Sequence, residues 1–333
     1  MSKISKVLIT GITGFVGSHL ADFILENFPK VQVSGLARWR SPLDNVRHIL
    51  DRITLEPGDL EDAFSLKNIL AKQKPDVIFH LAAQSYVPYS FAAPVATLNA
   101  NVIGTCNLLE AVKELKLAAG YDPIIHICSS SEVYGQVKKE EVPITEDVPF
   151  RPASPYAVSK VAEDRLAFQY WLSWQLKTIT TRMFTHTGPR RGEVFVVSTF
   201  ARQIASIEAG FAPPVVKVGN LDSIRTFLDV RDAVRAYWQL VNKCPPGEVY
   251  NIGGVETMTV GEMLDRLIKL SKVKGIKVEV DPARLRPSDV TLQIPCIDKF
   301  TDATGWKPEI KFAQTLKDTL DYWRDRLKRE GRL

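Results

Sequence analysis

Tyr156 and Lys160 stand four residues apart in SPYAVSK, and the stretch HICSSSEVYG (126–135) ends an apolar run in three serines followed by Glu132. On a helix, that four-residue spacing puts the phenol and the ammonium on one face, a single turn apart. A free phenol loses its proton near pH ~10. An ammonium one turn away favours the phenolate, and a second positive charge nearby would let Tyr156 act as a base close to neutrality. Ser130 and Ser131 present hydroxyls at the strand end, and the Glu132 carboxylate beside them either takes part in chemistry or holds the following loop.

Such groups need a scaffold. Short β-rich runs, VLIT (7–10), VQVSGLA (31–37), DVIFHLA (76–82), PIIHICS (123–129) and TITTRMF (178–184), alternate with stretches of helical spacing. The alternation predicts an α/β fold of right-handed βαβ units around a parallel sheet covered on both faces. VPITEDVPFRPASP (142–155) carries four prolines and reads as a loop crossing the mouth of the sheet. Beyond about residue 185 the texture changes to Gly/Pro-rich joints and a basic cluster, and a strand returns near EVYNIGG (248–254). The expected division is a Rossmann-type doubly wound domain, 1–184 plus about 229–258. A smaller α/β substrate lobe, about 185–228 plus 259–333, is interleaved with it.

The first βα junction, TGITGFVG, places Gly11, Gly14 and Gly17 between a strand and a helix. Glycines there permit the tight turn, the approach of backbone to a pyrophosphate and close helix–sheet contact, while the helix N-terminus offers N–H groups. With Thr13, Phe15 and Val16 they are the candidates for holding a dinucleotide. About twenty residues on, where an acid would accept from a ribose hydroxyl, the chain reads GLARWRSP. Arg38 and Arg40 suit a 2′-phosphate, so the expected cofactor is NADP. Asp59 and Leu60, and Leu81, Ala82 and Ala83, follow the next strands, where the adenine edge and the cofactor backbone would lie.

Bulk composition removes other classes. Forty-three basic against 38 acidic residues are spread along the chain without a Lys/Arg block, so no nucleic-acid face is expected. Cys106, Cys128, Cys244 and Cys296 lie far apart with no CxxC pair, which fits thiols in a reducing cytoplasm. Glycine interrupts the N-terminal apolar run after four residues. No window reaches about 18 apolar residues, so neither a leader nor a membrane span is expected.

TGITGFVG, HLAAQS, SSSEVYG, SPYAVSK, LRPSDV and TGWKP together resemble the extended short-chain dehydrogenase/reductases, in their nucleotide-sugar 4,6-dehydratase branch. ARWRSPLDNVRHI, AAQSYVPYSF, HTGPRRGEVFV and KVGNLDSIRTFLDV are similar to the GDP-mannose 4,6-dehydratase family. DPARLRPSDV, YNIGG and TGWKPEI also resemble the GDP-4-keto-6-deoxy-mannose reductases on the same scaffold. The resemblance implies that Tyr156 takes the C4 hydroxyl proton and that Ser130 holds O4, where threonine is usual. Glu132 would remove the C5 proton and protonate the departing C6 hydroxyl. It implies a GDP-sugar held by Ser85, Thr185, His186, Arg190, Arg191, Val196, Arg225, Arg286 and Asp289. The run FQYWLSWQL (168–176) carries more aromatic surface than one subunit covers, so a homodimer through such helices is expected, and the 38–47 loop resembles the segment that dehydratases use to form a homotetramer.

Overall fold

The computed structural model describes residues 4–285, 290–329 and 331. Seven strands form one sheet: β1 (Lys6–Thr10), β2 (Gln32–Ala37), β3 (Ile53–Pro57), β4 (Val77–His80), β5 (Ile124–Ser130), β6 (Lys177–Met183) and β7 (Val249–Ile252). All pair in parallel, in the order β7-β6-β5-β4-β1-β2-β3. The switch in order lies between β1 and β4, so the C-terminal ends of these two strands diverge around a crevice. Both faces are covered, which is why β1 and β4 carry the unbroken buried apolar runs Val7–Ile9 and Val77–Phe79 rather than alternating. Helices Phe15–Asn27 and Val230–Lys243 pack on one face, with Leu20, Ile24, Tyr237 and Leu240 buried against Val7, Ile9 and Phe79. Helices Ala63–Gln73, Gly104–Ala119 and Pro155–Trp174 cover the other, around Leu8, Ile78, Ile125 and Ile127.

A second hydrophobic cluster joins helices Val196–Glu208, Val260–Lys269 and Phe312–Arg329 to a small parallel pair, Val215–Val218 with Lys277–Val280. Between the clusters runs the proline-rich 142–155 segment. It is more than a surface loop: Ile144 is fully buried, donates its N–H to the Ile294 carbonyl at 2.8 Å and accepts from Cys296 N at 2.8 Å. That stitch ties the mouth of the sheet to the C-terminal third of the chain.

Helix Pro155–Trp174 begins because Ser154 accepts a hydrogen bond from Ala157 N at 3.0 Å, with Pro155 pre-set for the first turn. Its buried stripe, Tyr156, Lys160, Glu163, Asp164 and Ala167, follows the three-four spacing of a core face yet is mostly polar. Asp164 meets Arg182 of β6, Nε to Oδ2 at 2.8 Å, both about 2% exposed. Arg182 also donates to the Tyr134 hydroxyl at 3.0 Å and the Glu146 carbonyl at 2.7 Å. Removing one partner of a buried pair strands the other charge. Asp164→Ala should therefore cost about 3–5 kcal/mol in urea unfolding. The double variant Asp164→Leu, Arg182→Met should cost distinctly less than that single change.

Candidate active site

The C-terminal ends of β4, β5 and β6 open on a cavity of about 510 Å³. Tyr156 and Lys160 project into it from the helix, Ser130, Ser131 and Glu132 from the end of β5, and Met183 and Phe184 from the end of β6. Five catalytic candidates from two sequence stretches thus line one cavity.

Lys160 is buried. Its Nζ donates to the Cys128 carbonyl at 2.9 Å and to Glu163 Oε2 at 2.8 Å, and it lies 6.0 Å from the centre of the Tyr156 ring. Burial works against its charge, yet Glu163 and Tyr156 outweigh that and hold the ammonium above its ordinary range. Tyr156 is buried beside this ammonium. Burial raises its phenol above the usual value, and the pull of Lys160 and of the hydrogen bond with Ser130 does not offset it. Lys160 alone leaves Tyr156 protonated near neutrality; a further positive charge in the cleft is required. Glu132 uses its backbone, not its carboxylate, in the local turn: its N–H donates to Ser130 Oγ at 3.2 Å and its carbonyl accepts from Gly135 N at 3.1 Å. Among the described residues, no hydrogen bond or ion pair engages the Glu132 carboxylate.

Beneath this wall runs a polar chain. Thr10 meets His80 Nδ1 at 3.0 Å, and His80 Nε2 meets Thr105 Oγ1 at 2.9 Å. Thr105 donates to the Asn101 carbonyl at 2.6 Å, Asn101 donates to Ser159 Oγ at 2.8 Å, and Ser159 donates to the Tyr156 carbonyl at 2.7 Å. Asn101 sits in a π-helical turn, Asn99–Ile103, and also pairs both ways with the Gln84 backbone. Sequence reasoning missed Thr10, His80, Thr105, Asn101 and Glu163. The one local signal was a run of polar residues at positions the helical and strand patterns mark as interior.

The glycine turn forms the adjoining cradle. Gly11 has φ +72°, and a Cβ on Gly17 would come within 2.2 Å of the Gly11 carbonyl oxygen. Helix Phe15–Asn27 starts at Gly14 with no side-chain cap and no acid in its first turn, which leaves its N–H groups for an anion. Val16, Leu81 and Ala83 carry this surface into the cavity, and the Leu81 and Ala82 N–H groups are anchored on Thr10 Oγ1 at 3.0 and 3.1 Å. Arg38 and Arg40 are exposed past β2, with Arg40 4.4 Å over the Trp39 ring. Asn45 donates to the Thr13 carbonyl at 3.1 Å, keeping that arginine loop beside the cradle. Asp59 and Leu60 follow β3; Asp59 caps the turn through Glu61 N at 3.2 Å, and the Leu60 carbonyl accepts from Asn107 at 2.9 Å.

The remaining candidates divide. Ser85, Thr185, His186, Arg191, Val196 and Arg225 line the cavity. Burial and Arg191 hold the His186 imidazole down to about 3, so it is neutral at physiological pH. Arg225 is turned toward Gln293 Oε1 at 2.6 Å and the Val290 carbonyl at 2.9 Å. Arg190 is a correction. Its positive φ of 68° swings the side chain out of the cavity to pair with Asp22 at 2.7 Å, beside His48, so it locks the loop to the first helix instead. Arg286 and Asp289 lie outside the described residues.

Residues 8–319 match the family described as GDP-mannose 4,6 dehydratase. The chain is 35% identical to GDP-6-deoxy-D-mannose reductase of Pseudomonas aeruginosa, over 98% of this chain and 99% of that protein. It is 34% identical to GDP-mannose 4,6-dehydratase of Vibrio cholerae, over 93% and 91% respectively. The solved structure of RMD from Pseudomonas aeruginosa complexed with NADPH superposes with a TM-score of 0.83 at 33% identity, over 97% of this chain and 99% of that one.

Arg191 is a cation of the cavity wall. Its guanidinium lies 3.6 Å over the Phe195 ring and 5.0 Å from that of Phe15, and burial pushes it down to about 10. Among the described residues no carboxylate pairs with it. Arg191→Met should therefore leave the urea midpoint unchanged or higher. In a calorimetric titration it should weaken a nucleoside diphosphate at least about tenfold, the loss of one charge-assisted hydrogen bond.

Proposed function

The chain belongs to the GDP-mannose 4,6-dehydratase family, and on that premise we propose that it is an NADP-dependent hydro-lyase. Its substrate is a GDP-hexose, GDP-mannose first among them, and its product the 4-keto-6-deoxy sugar nucleotide. The observation that carries this reading is the unengaged Glu132 carboxylate on the same cavity wall as Ser130, Tyr156 and Lys160.

The dinucleotide-binding unit in this reading is 1–184 plus about 229–258, with the GDP-sugar held by about 185–228 plus 259–333. The cradle fits the cofactor: the missing Cβ of Gly17 lets the helix close on the Gly11 turn, and the uncapped helix start leaves N–H groups for a diphosphate. Gly11, Thr13, Gly14, Phe15, Val16, Gly17, Leu81, Ala82 and Ala83 would hold the diphosphate and its flanks, and Asp59 and Leu60 the adenine edge. Arg38 and Arg40 would take the 2′-phosphate. When bound, NADP supplies the two-electron chemistry, accepting hydride at C4 and returning it at C6, so no net cofactor is consumed.

The side chains then have separable tasks. Tyr156 accepts the C4 hydroxyl proton, with Lys160 and the cofactor's positive ring supplying the two charges that its burial makes necessary. Ser130 hydrogen-bonds O4. A carbonyl at C4 acidifies the C5 proton; Glu132 removes it and delivers it to the C6 hydroxyl, which leaves as water, with Ser131 alongside, and Tyr156 returns the proton taken from O4 to C5 to complete the product. Arg191 offers charge to the diphosphate, while Ser85, Thr185, His186, Val196 and Arg225 shape the sugar end.

A second reading is favoured by one observation: GDP-6-deoxy-D-mannose reductase is among the relatives of highest identity and aligns end to end. A reductase uses the same Tyr156 and Lys160 but no elimination, and it consumes NADPH. The two separate cleanly. Purified protein incubated with GDP-mannose and no added nucleotide should yield, by mass spectrometry, a product lighter by one water. Glu132→Gln and Tyr156→Phe should each slow this about 10²–10⁴-fold. No product there, with NADPH loss on adding the 4-keto sugar, assigns the reductase.

Helix Pro155–Trp174 also exposes Val158, Phe168, Leu172 and Trp174. We propose that this face makes a homodimer, extended to a tetramer through the 38–47 loop, in a cytoplasmic enzyme; among the described residues no helix is long and apolar enough to cross a membrane. Sedimentation should give at least a dimer, and Leu172→Glu should shift it toward monomer.

A further inference from the structure

One buried acid has no task in the chemistry above. Glu163 follows Lys160 by three residues on the same helix and is 1% exposed at its side chain. One carboxylate oxygen accepts from Lys160 Nζ at 2.8 Å; the other, Oε1, is buried with no partner. A carboxylate placed in this way is costly to bury and satisfies only half of its hydrogen-bonding capacity. We propose that Glu163 is a positioning residue that clamps Lys160 against the Cys128 carbonyl and, as counter-charge, sets how strongly Lys160 acidifies Tyr156. This rests on the reading of Tyr156 as the base, and it concerns only this chain's own groups.

The argument is electrostatic. Ionised Glu163 cancels part of the Lys160 field at the phenol and so holds Tyr156 up; neutral Glu163 releases that field. Burial pushes the Glu163 carboxyl up to about 7, against the pull of Lys160. The groups facing the pair are few. Asp164 on the same helix is committed to Arg182 and Arg165. From the sheet, the Cys128 thiol is raised by burial, and His80 and His126 are neutral, each held down to about 3 by burial. Tyr156 is the other titratable group acting on Lys160 among the described residues, and Arg191 and the Tyr237 phenol face Tyr156 in turn. Clamping has a mechanical side as well: Ser129 Oγ donates to the Lys160 carbonyl at 3.1 Å, so main chain and side chain are held from opposite ends.

The test reads the phenol directly. Tyrosinate absorbance is titrated against pH for the protein with and without oxidised dinucleotide, and the same titration of a Tyr156→Phe background is subtracted. Glu163→Gln keeps the shape and the acceptor for Lys160, and should move the Tyr156 midpoint down by roughly 0.5–1.5 pH units. Glu163→Leu, which removes charge and acceptor together, should move it in the same direction, with a weaker pull if Lys160 drifts. A midpoint unchanged or raised in folded Glu163→Gln or Glu163→Leu protein overturns the proposal. Because no sugar nucleotide enters the measurement, failure here is distinct from failure to turn over GDP-mannose. Where turnover is measured, the acid limb of its pH profile should fall with the tyrosinate midpoint, whereas a purely structural Glu163 would change rate at all pH values alike.

Discussion

A buried ammonium needs partners on every side, and the Lys160 site dictates more of this molecule than any other contact. Removing such a charge from water costs several kcal/mol even after relaxation, against about 1 kcal/mol for an ordinary hydrogen bond. The Cys128 carbonyl and the Glu163 carboxylate meet that demand at 2.9 and 2.8 Å. To bring both to one point, helix Pro155–Trp174 must lie against the end of β5 in one register, and Ser154 and Pro155 must start it one residue before Tyr156. The phenol, the serines and Glu132 then fall on one wall as a consequence of burying a single charge.

The polar chain from Thr10 through His80, Thr105, Asn101 and Ser159 to Tyr156 serves the same constraint from below. It links the end of β1 to that of β4 and to the start of helix Pro155–Trp174. Burial keeps His80 neutral, so it braces the site without adding a charge that would repel Lys160. The π-helical turn at Asn99–Ile103 shifts the local register by one residue and aims Asn101 inward.

The parts written in the sequence were those with a local signature. Strand alternation announced the sheet, three glycines announced the cradle, and a four-residue spacing announced the Tyr156–Lys160 face. What escaped depends on where the chain turns. Arg190 and Arg191 are neighbours with the same chemistry, yet a left-handed backbone at Arg190 sends one to Asp22 and leaves the other in the cavity. Glu163 reads as an ordinary surface acid of a helix until β5 is laid beside it. The proline-rich 142–155 segment, legible as a loop, takes its importance from the Ile294 and Cys296 backbone, about 150 residues away.

β7 occupies residues 249–252 but completes a sheet whose other six strands end by Met183. During synthesis, then, β6 leaves the ribosome with one edge open and keeps it so until nearly seventy more residues have been made. Exposed strand edges invite pairing with other chains. The late return of β7 to the edge of β6 therefore exposes the nascent chain to wrong partners, and the last-arriving strand is the one that closes that edge.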